Sequence, residues 1–178
     1  FANKYRGNDH VCLTYFGDGA ANQGQVYETF NMAKLWHLPV IFIIENNRYA
    51  MGTAIDRASP VKDLYQRGSA YGIPRREVNG MDLLAVRSAL GEAIDRARKD
   101  KRPTLLEVET YRYRGHSMSD PGKYRTKEEV EQMMQYDPIH LFSRRLLEQE
   151  RVPQAELDVI DKDVLLQVDE AVRFTEQS

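Results

Sequence analysis

An aspartate between glycines, Gly17-Asp18-Gly19, and an asparagine pair, Asn46-Asn47, are the residues of this chain best suited to chemistry. A carboxylate and a carboxamide are hard oxygen donors, suited to a magnesium ion carrying a phosphate ester. Glycines beside Asp18 let main-chain N–H groups approach a phosphate closely. Singly, each motif says little. Strand-to-helix turns use Gly and Asp to turn and cap, and adjacent asparagines mark turns because Asn tolerates the left-handed region. The information lies in the 26 residues between them, 20–45.

A third group occupies 110–121, Thr-Tyr-Arg-Tyr-Arg-Gly-His-Ser-Met-Ser-Asp-Pro. Arg112 can grip phosphate oxygens, His116 can transfer a proton near neutrality, and Gly115 lets the loop bend. Read alone, such a stretch is a surface loop with scattered charges. Of the remaining histidines, His10 just ahead of a strand reads as solvent-facing and His37 after Trp36 at a helix end as capping or exposed, while His140 lies in a helical stretch with no constellation near it.

Positioning these residues takes a sheet. Val11 to Phe16 and Val40 to Ile44 are apolar runs of strand length, and Gln25 to Leu35 between them carries Val26, Phe30 and Ala33 at helical spacing. Strand, crossover helix, strand is a parallel unit whose two polar tips leave the sheet at the same edge. A loop follows at 46–59, with turns marked by Gly52 and Pro60, then a short helix over Val61 to Tyr71 stopped by Gly72 and Pro74. Arg76 to Val78 reads as a strand. Asp82 caps a helix whose Leu83, Leu84, Val86, Leu90 and Ile94 recur at helical spacing up to Lys99, and Thr104 to Thr110 is the next strand.

The alternation predicts an α/β fold with an open parallel sheet flanked by helices, and it sets 110–121 just after a strand, where such folds bind ligands. Thr126 with Glu129 predicts a capping box. Asp137-Pro138 opens a further helix, and Gln154 to Phe174 forms another after the Val152-Pro153 break. The expected division is an α/β binding domain at 1–125 and a helical C-terminal extension at 126–178.

A formal charge of −2 gives no electrostatic case for nucleic acid or a membrane surface. No apolar run approaches the roughly 20 residues of a membrane helix. The one cysteine, Cys12, falls in an apolar strand, so a buried thiol is expected, with no disulfide framework and a reducing compartment. The opening Phe1-Ala2-Asn3-Lys4-Tyr5 reads as the last turn or two of a helix already under way, so a fragment of a longer protein is expected.

Gly-Asp-Gly followed at this spacing by Asn-Asn resembles the fingerprint of the thiamine-diphosphate enzymes. The run 110–121 closely resembles the phosphorylation loop in alpha subunits of the pyruvate dehydrogenase component of 2-oxoacid dehydrogenase complexes. GDGAANQGQ, ENNRYAMGT and DPGKYRTKEE extend the likeness over almost the whole chain.

The resemblance implies a thiamine-diphosphate-binding fold with the diphosphate held through Mg2+. Asp18, Asn47 and the main-chain carbonyl of Tyr49 fall on the metal-ligand positions. Gly19 and Ala20 fall on the N–H donors to the diphosphate, and Arg112 on its arginine contact. His116 falls on the catalytic histidine beside the cofactor. The reaction implied is oxidative decarboxylation of pyruvate, with acetyl transfer to a lipoyl group of the acetyltransferase component.

That reaction needs a beta subunit, in an alpha2beta2 heterotetramer, which carries the glutamate that activates the cofactor; the chain alone is expected to be inactive. Ser-Met-Ser-Asp-Pro favours pyruvate, with branched-chain 2-oxoacids and acetoin as alternatives, and a fragment that only binds its beta partner as another. Ser117 matches the principal kinase site of animal members. The second site has no counterpart after Pro121, and Ala54 replaces the third. That pattern looks more bacterial than animal, so the bacterial cytoplasm is expected, the mitochondrial matrix being the alternative.

Overall fold

The computed structural model describes residues 1–177. A short helix α1 (Ala2–Tyr5) precedes strand β1 (Cys12–Gly17), which passes through a 3-10 turn at Ala20–Asn22 into helix α2 (Gly24–Leu35) and returns as β2 (Val40–Asn46). A small hairpin, β3 (Tyr49–Ala50) and β4 (Thr53–Ala54), leads to α3 (Ile55–Ala58) and a 3-10 segment over Leu64–Tyr71. Then come β5 (Arg75–Asn79), α4 (Leu83–Asp100), β6 (Thr104–Glu109) and α5 (Lys127–Met134). The chain forms two compact units, the first ending at Tyr136. The second begins at Asp137 and carries α6 (Pro138–Glu148) and α7 (Gln154–Gln177).

Four strands form one sheet in the order β1-β2-β6-β5, every pair parallel. The α/β expectation holds: an open parallel sheet flanked by helices. Register sets the strand tips level, with Gly17 beside Glu45, and Asn46 and Asn79 both beside Glu109. Asp18 and Asn47, each one residue past its strand, therefore emerge at the same edge.

The two central strands are buried on both faces, which is why β2 opens as a continuous apolar run with no alternation and why β6 buries even Thr104 and Glu107 among its apolar residues. One face packs Phe42, Ile44 and Leu105 against Phe30 and Ala33 of α2, with Leu64 and Ile73. The other packs Ile41, Ile43, Leu106, Val108 and Val78 against Ala89, Ala93 and Ala97 of α4.

Several local expectations change. The helical spacing in α4 pointed to its large residues, yet Ala89, Ala93 and Ala97 are the buried ones, while Val86, Leu90 and Ile94 are partly buried around them and Leu83 is exposed. Small residues at four-residue spacing let the helix backbone approach the sheet closely. Cys12 is exposed, contrary to the buried thiol expected, because β1 is an edge strand paired only with β2. Leu13 and Tyr15 are exposed with it.

The segment expected as a helix over 61–71 is a 3-10 segment from Leu64, closed by Gly72 at φ +59°. Loop 46–59 contains the β3–β4 hairpin and α3. Asp82 caps α4 as expected, accepting from the N–H groups of Leu84 and Ala85 at 2.9 and 3.1 Å. Among the described residues no helix is long and apolar enough to cross a membrane.

Candidate functional site

Asp18 follows β1 directly and is 4% exposed. Burial pushes its carboxyl above the usual carboxylate range, while hydrogen bonds from the backbone at Asp18 and Gly19 and the Arg112 charge pull the other way. Among the described residues the ion pairs are Lys62–Asp56, Arg76–Glu92 and Lys99–Asp95, all on the surface, so Asp18 has none. A buried carboxylate with no cation bonded to it is costly unless something else neutralises it.

The turn around Asp18 lies against the β3 hairpin. A Cβ on Gly19 would sit 2.5 Å from the Ala50 Cβ, so only glycine allows this approach. Gly19 caps the 3-10 turn that Ala20 begins. The hairpin's own entry is built by the asparagine pair. Asn46 is buried, and its Oδ1 accepts from the Arg48 N–H at 3.1 Å; Asn47 is half-buried, and its Oδ1 accepts from the Tyr49 N–H at 3.4 Å. Arg48 and Met51 both carry positive φ, at 71° and 53°, so the chain turns sharply here.

Arg112 closes the cluster. One guanidinium nitrogen donates to the Tyr49 carbonyl at 3.2 Å, and the other to the Met51 carbonyl at 2.7 Å and to the Tyr124 hydroxyl oxygen at 2.9 Å. Its Nε is buried with no hydrogen-bond partner. The structure thus brings Asp18, Gly19, Tyr49 and Arg112 together around one turn, with Ala20 and Asn47 on the two segments that enter it.

The loop beyond Arg112 is fastened by polar side chains. Asp120 accepts from the backbone N–H of His116 at 2.7 Å, of Gly122 at 2.9 Å and from the Tyr124 hydroxyl at 2.9 Å. Those backbone bonds, His116 first, hold its carboxyl down at about 2. Arg125 donates to the carbonyls of Arg112 and Arg114 and lies over the rings of Tyr111 and Tyr124, 5.3 and 5.7 Å from their centroids.

Thr126 caps α5 by accepting from Glu129 N–H at 3.1 Å, but the return half of the expected capping box is missing. Glu129 Oε1 instead accepts from the hydroxyls of Tyr111 at 2.7 Å and Tyr49 at 3.3 Å. Two phenols outcompete the backbone for that carboxylate. Burial, reinforced by Glu129, pushes the Tyr111 hydroxyl up to about 12.

His116 stands exposed, and the bond that fixes it is made by its backbone. No hydrogen bond or ion pair among the described residues joins it to Asp18 or Asn47. Ser117 is also exposed, its Oγ 3.0 Å from that of Ser119. His10 and His37 are exposed, as their positions suggested, and so is His140.

Sequence reading missed Asp120, Arg125 and Glu129 as builders of this region, and with them Glu107, which accepts from the Asn46 side-chain amide at 2.7 Å. For Glu107 there was a signal: a lone carboxylate in an apolar strand has to be partnered. The others depend on how the loop folds back, which no local pattern encodes.

No cluster of three or more His, Cys, Asp or Glu occurs among the described residues. The donors available here are one carboxylate, one carboxamide and one carbonyl, a hard oxygen set that suits Mg2+ and not a thiophilic metal. Asp18, with no ion pair, would accept a cation, and the orphaned Arg112 Nε–H would donate to an anionic oxygen. Both fit a metal-bound diphosphate.

Residues 1–178 match the family model described as dehydrogenase E1 component. Curated relatives named pyruvate dehydrogenase E1 component subunit alpha include one from Rhizobium meliloti, 59% identical over 165 residues, which covers 92% of this chain and 47% of the relative. One from Zymomonas mobilis is 52% identical over 179 residues, covering 100% and 50%. The somatic, mitochondrial form from Bos taurus is 50% identical over 175 residues, covering 97% and 44%. The chain spans about half the length of the curated relatives it matches. A match to the family model along all 178 residues means that the chain belongs to the dehydrogenase E1 component family.

Proposed function

We propose that this chain is the diphosphate-anchoring portion of an E1 alpha subunit that, with thiamine diphosphate and Mg2+, oxidatively decarboxylates pyruvate and passes the acetyl group to a lipoyl-bearing acetyltransferase. The observation that carries the reading is the buried, unneutralised Asp18 facing a hairpin that Arg112 clasps. In this reading the binding domain runs over 1–125 and the helical extension over 126–178. The partners are a beta subunit in an alpha2beta2 assembly and the acetyltransferase core. The setting is the bacterial cytoplasm, with the mitochondrial matrix as alternative.

Asp18, Asn47 and the Tyr49 carbonyl would hold the metal. A carbonyl has two lone pairs, so Tyr49 can serve the metal and keep its Arg112 bond. The N–H groups of Gly19 and Ala20, at the start of a 3-10 turn, and the spare Nε–H of Arg112 bind phosphate oxygens. Thiamine diphosphate, when bound, would supply the nucleophilic carbon and the electron sink that decarboxylation of a 2-oxoacid requires. His116, on the exposed loop, gives or takes a proton at its imidazole once substrate and the beta subunit cover it. Ser117 beside it is the one position of the loop matching a kinase site.

Calorimetric titration of the assembled full-length alpha and beta subunits tests this. Wild type is expected to bind thiamine diphosphate only with Mg2+, and Asp18→Ala to weaken that binding by on the order of 100-fold. Equal binding by the two, or turnover by the isolated chain without beta, overturns it. A panel of pyruvate, branched-chain 2-oxoacids and acetoin decides the substrate: pyruvate must have the highest kcat/KM.

A further inference from the structure

Glu107 lies within the central strand β6, 1% exposed, and nothing proposed so far uses it. Both of its oxygens accept hydrogen bonds. Oε1 takes the Asn46 side-chain amide at 2.7 Å, and Oε2 takes the Tyr65 backbone N–H at 2.7 Å. Asn46 spends its other polar atom on the Arg48 N–H at 3.1 Å. A bonded path therefore runs from the sheet core, through Asn46, to the turn that carries Asn47 and Tyr49. A buried carboxylate is costly where an apolar side chain would fill the space, so its presence calls for a role.

We propose that Glu107 is a positioning residue: by taking the amide N–H of Asn46 it aims Asn46 Oδ1 at Arg48, which sets the 46–49 turn in the shape that offers Asn47 and the Tyr49 carbonyl to the metal. The proposal rests on the Mg2+-diphosphate reading above. Its force lies in hydrogen-bond polarity. An amide has one donor end and one acceptor end, and an acceptor-only carboxylate leaves Asn46 a single orientation. Held so, the turn keeps Arg48 at φ 71°, a conformation that side-chain-bearing residues seldom adopt without such support.

A glutamine at position 107 breaks this logic. If its NH2 faces Asn46, two donors meet. If Asn46 then flips, its own NH2 meets the Arg48 N–H and the defect moves into the metal-binding turn. If the glutamine NH2 faces Tyr65 instead, the clash moves to the Leu64–Tyr71 segment. Combining Asn46→Asp with Glu107→Gln repairs every bond without changing the net charge. The glutamine then donates to one oxygen of the introduced aspartate and accepts from Tyr65, while the aspartate's other oxygen accepts from Arg48.

The test uses assembled full-length alpha and beta subunits, comparing wild type, Glu107→Gln, Asn46→Asp/Glu107→Gln and Asp18→Ala. Two quantities are read: backbone amide exchange at 46–50 without metal or cofactor, and the Mg2+ concentration that half-saturates thiamine diphosphate binding. Glu107→Gln is expected to speed exchange and raise the half-saturating Mg2+, each by about 10-fold or more. The double variant is expected to return both to within about 3-fold of wild type.

Unchanged values in Glu107→Gln, or a double variant no better than the single one, overturn the proposal. If Glu107→Gln does not fold, the double variant alone decides: near-wild-type values support the proposal, and loss of them overturns it. An Asp18→Ala protein that titrates Mg2+ like wild type sinks the metal reading instead, and the exchange data still show whether Glu107 sets the turn.

Discussion

Asp18 and Asn46 leave the tips of neighbouring parallel strands and are each 4% exposed, whereas His116, Ser117 and Ser119 stand exposed on a loop that side-chain hydrogen bonds tie down. The first region inherits its geometry from core packing: strand register, the α2 crossover and a buried carboxylate beneath the turn. The second is held by Asp120, Arg125 and the Tyr111–Glu129 bond, none of them part of the strand ladder, although Arg112 and Glu129 also reach the 49–51 hairpin. Under the proposed function the first region would anchor a cofactor, and such an anchor has to be in place before its ligand arrives, which a rigid sheet edge provides. A loop proposed to work over substrate is better built from separable contacts.

The largest effect expected comes from breaking the sheet itself. Leu105 is fully buried in β6 and packs in the face that holds Phe30, Phe42 and Ile44. Leu105→Ala is expected to lower unfolding free energy by about 3 kcal/mol, through lost burial and the cavity left behind. Urea denaturation of the full-length protein measures it. Loop amide exchange below the transition is expected to stay as in wild type. Parallel acceleration in the loop would show that the two regions are not independent.

How much of this contrast was legible in sequence follows the same line. The anchor was readable because apolar runs, a crossover helix and polar tips are local patterns, and a parallel unit fixes where they meet. The edge status of β1 was not, since it depends on which strands pair, and Cys12 was misread for that reason. Glu107 could be flagged as a carboxylate in an apolar strand, but its partner Asn46 lies 61 residues away. The loop's fastening was unreadable. Its bonds span 13 residues from Arg125 to Arg112 and 18 from Glu129 to Tyr111, and they depend on a backbone path with no repeat or period.

Gly115 offers the complementary break. A Cβ there would lie 2.4 Å from the Asp120 carbonyl oxygen and 2.9 Å from its Cβ, so Gly115→Ala has to push the loop apart. Exchange of amides 115–122 is expected to rise by on the order of 10-fold, while global stability moves by less than about 0.5 kcal/mol. A shift in the unfolding midpoint as large as that of Leu105→Ala would erase the distinction. Thr126→Ala is milder: it removes the α5 cap from Glu129 N–H and is expected to cost about 1 kcal/mol locally, read as faster exchange at Glu129.

The smallest effect is a titration confined to the loop. Asp120 is held at about 2, chiefly by the His116 N–H and then by Gly122, against an ordinary value of 3.8. A folded-state value below the unfolded one means that the carboxylate supports the loop fully above the ordinary value and loses that support as pH falls toward about 2. Exchange at His116 and Gly122, corrected for intrinsic rates, is therefore expected to stay constant from neutrality down to the ordinary carboxylate range and to accelerate below it. Asp120→Asn should remove that dependence, because an amide keeps one acceptor and has no charge to lose. The amide of Arg48, bonded to Asn46, answers to Glu107 instead, whose carboxyl burial pushes above the ordinary range, so any step there is expected at higher pH than the Asp120 step. Steps that coincide in pH at both places would mean that the two regions open as one unit.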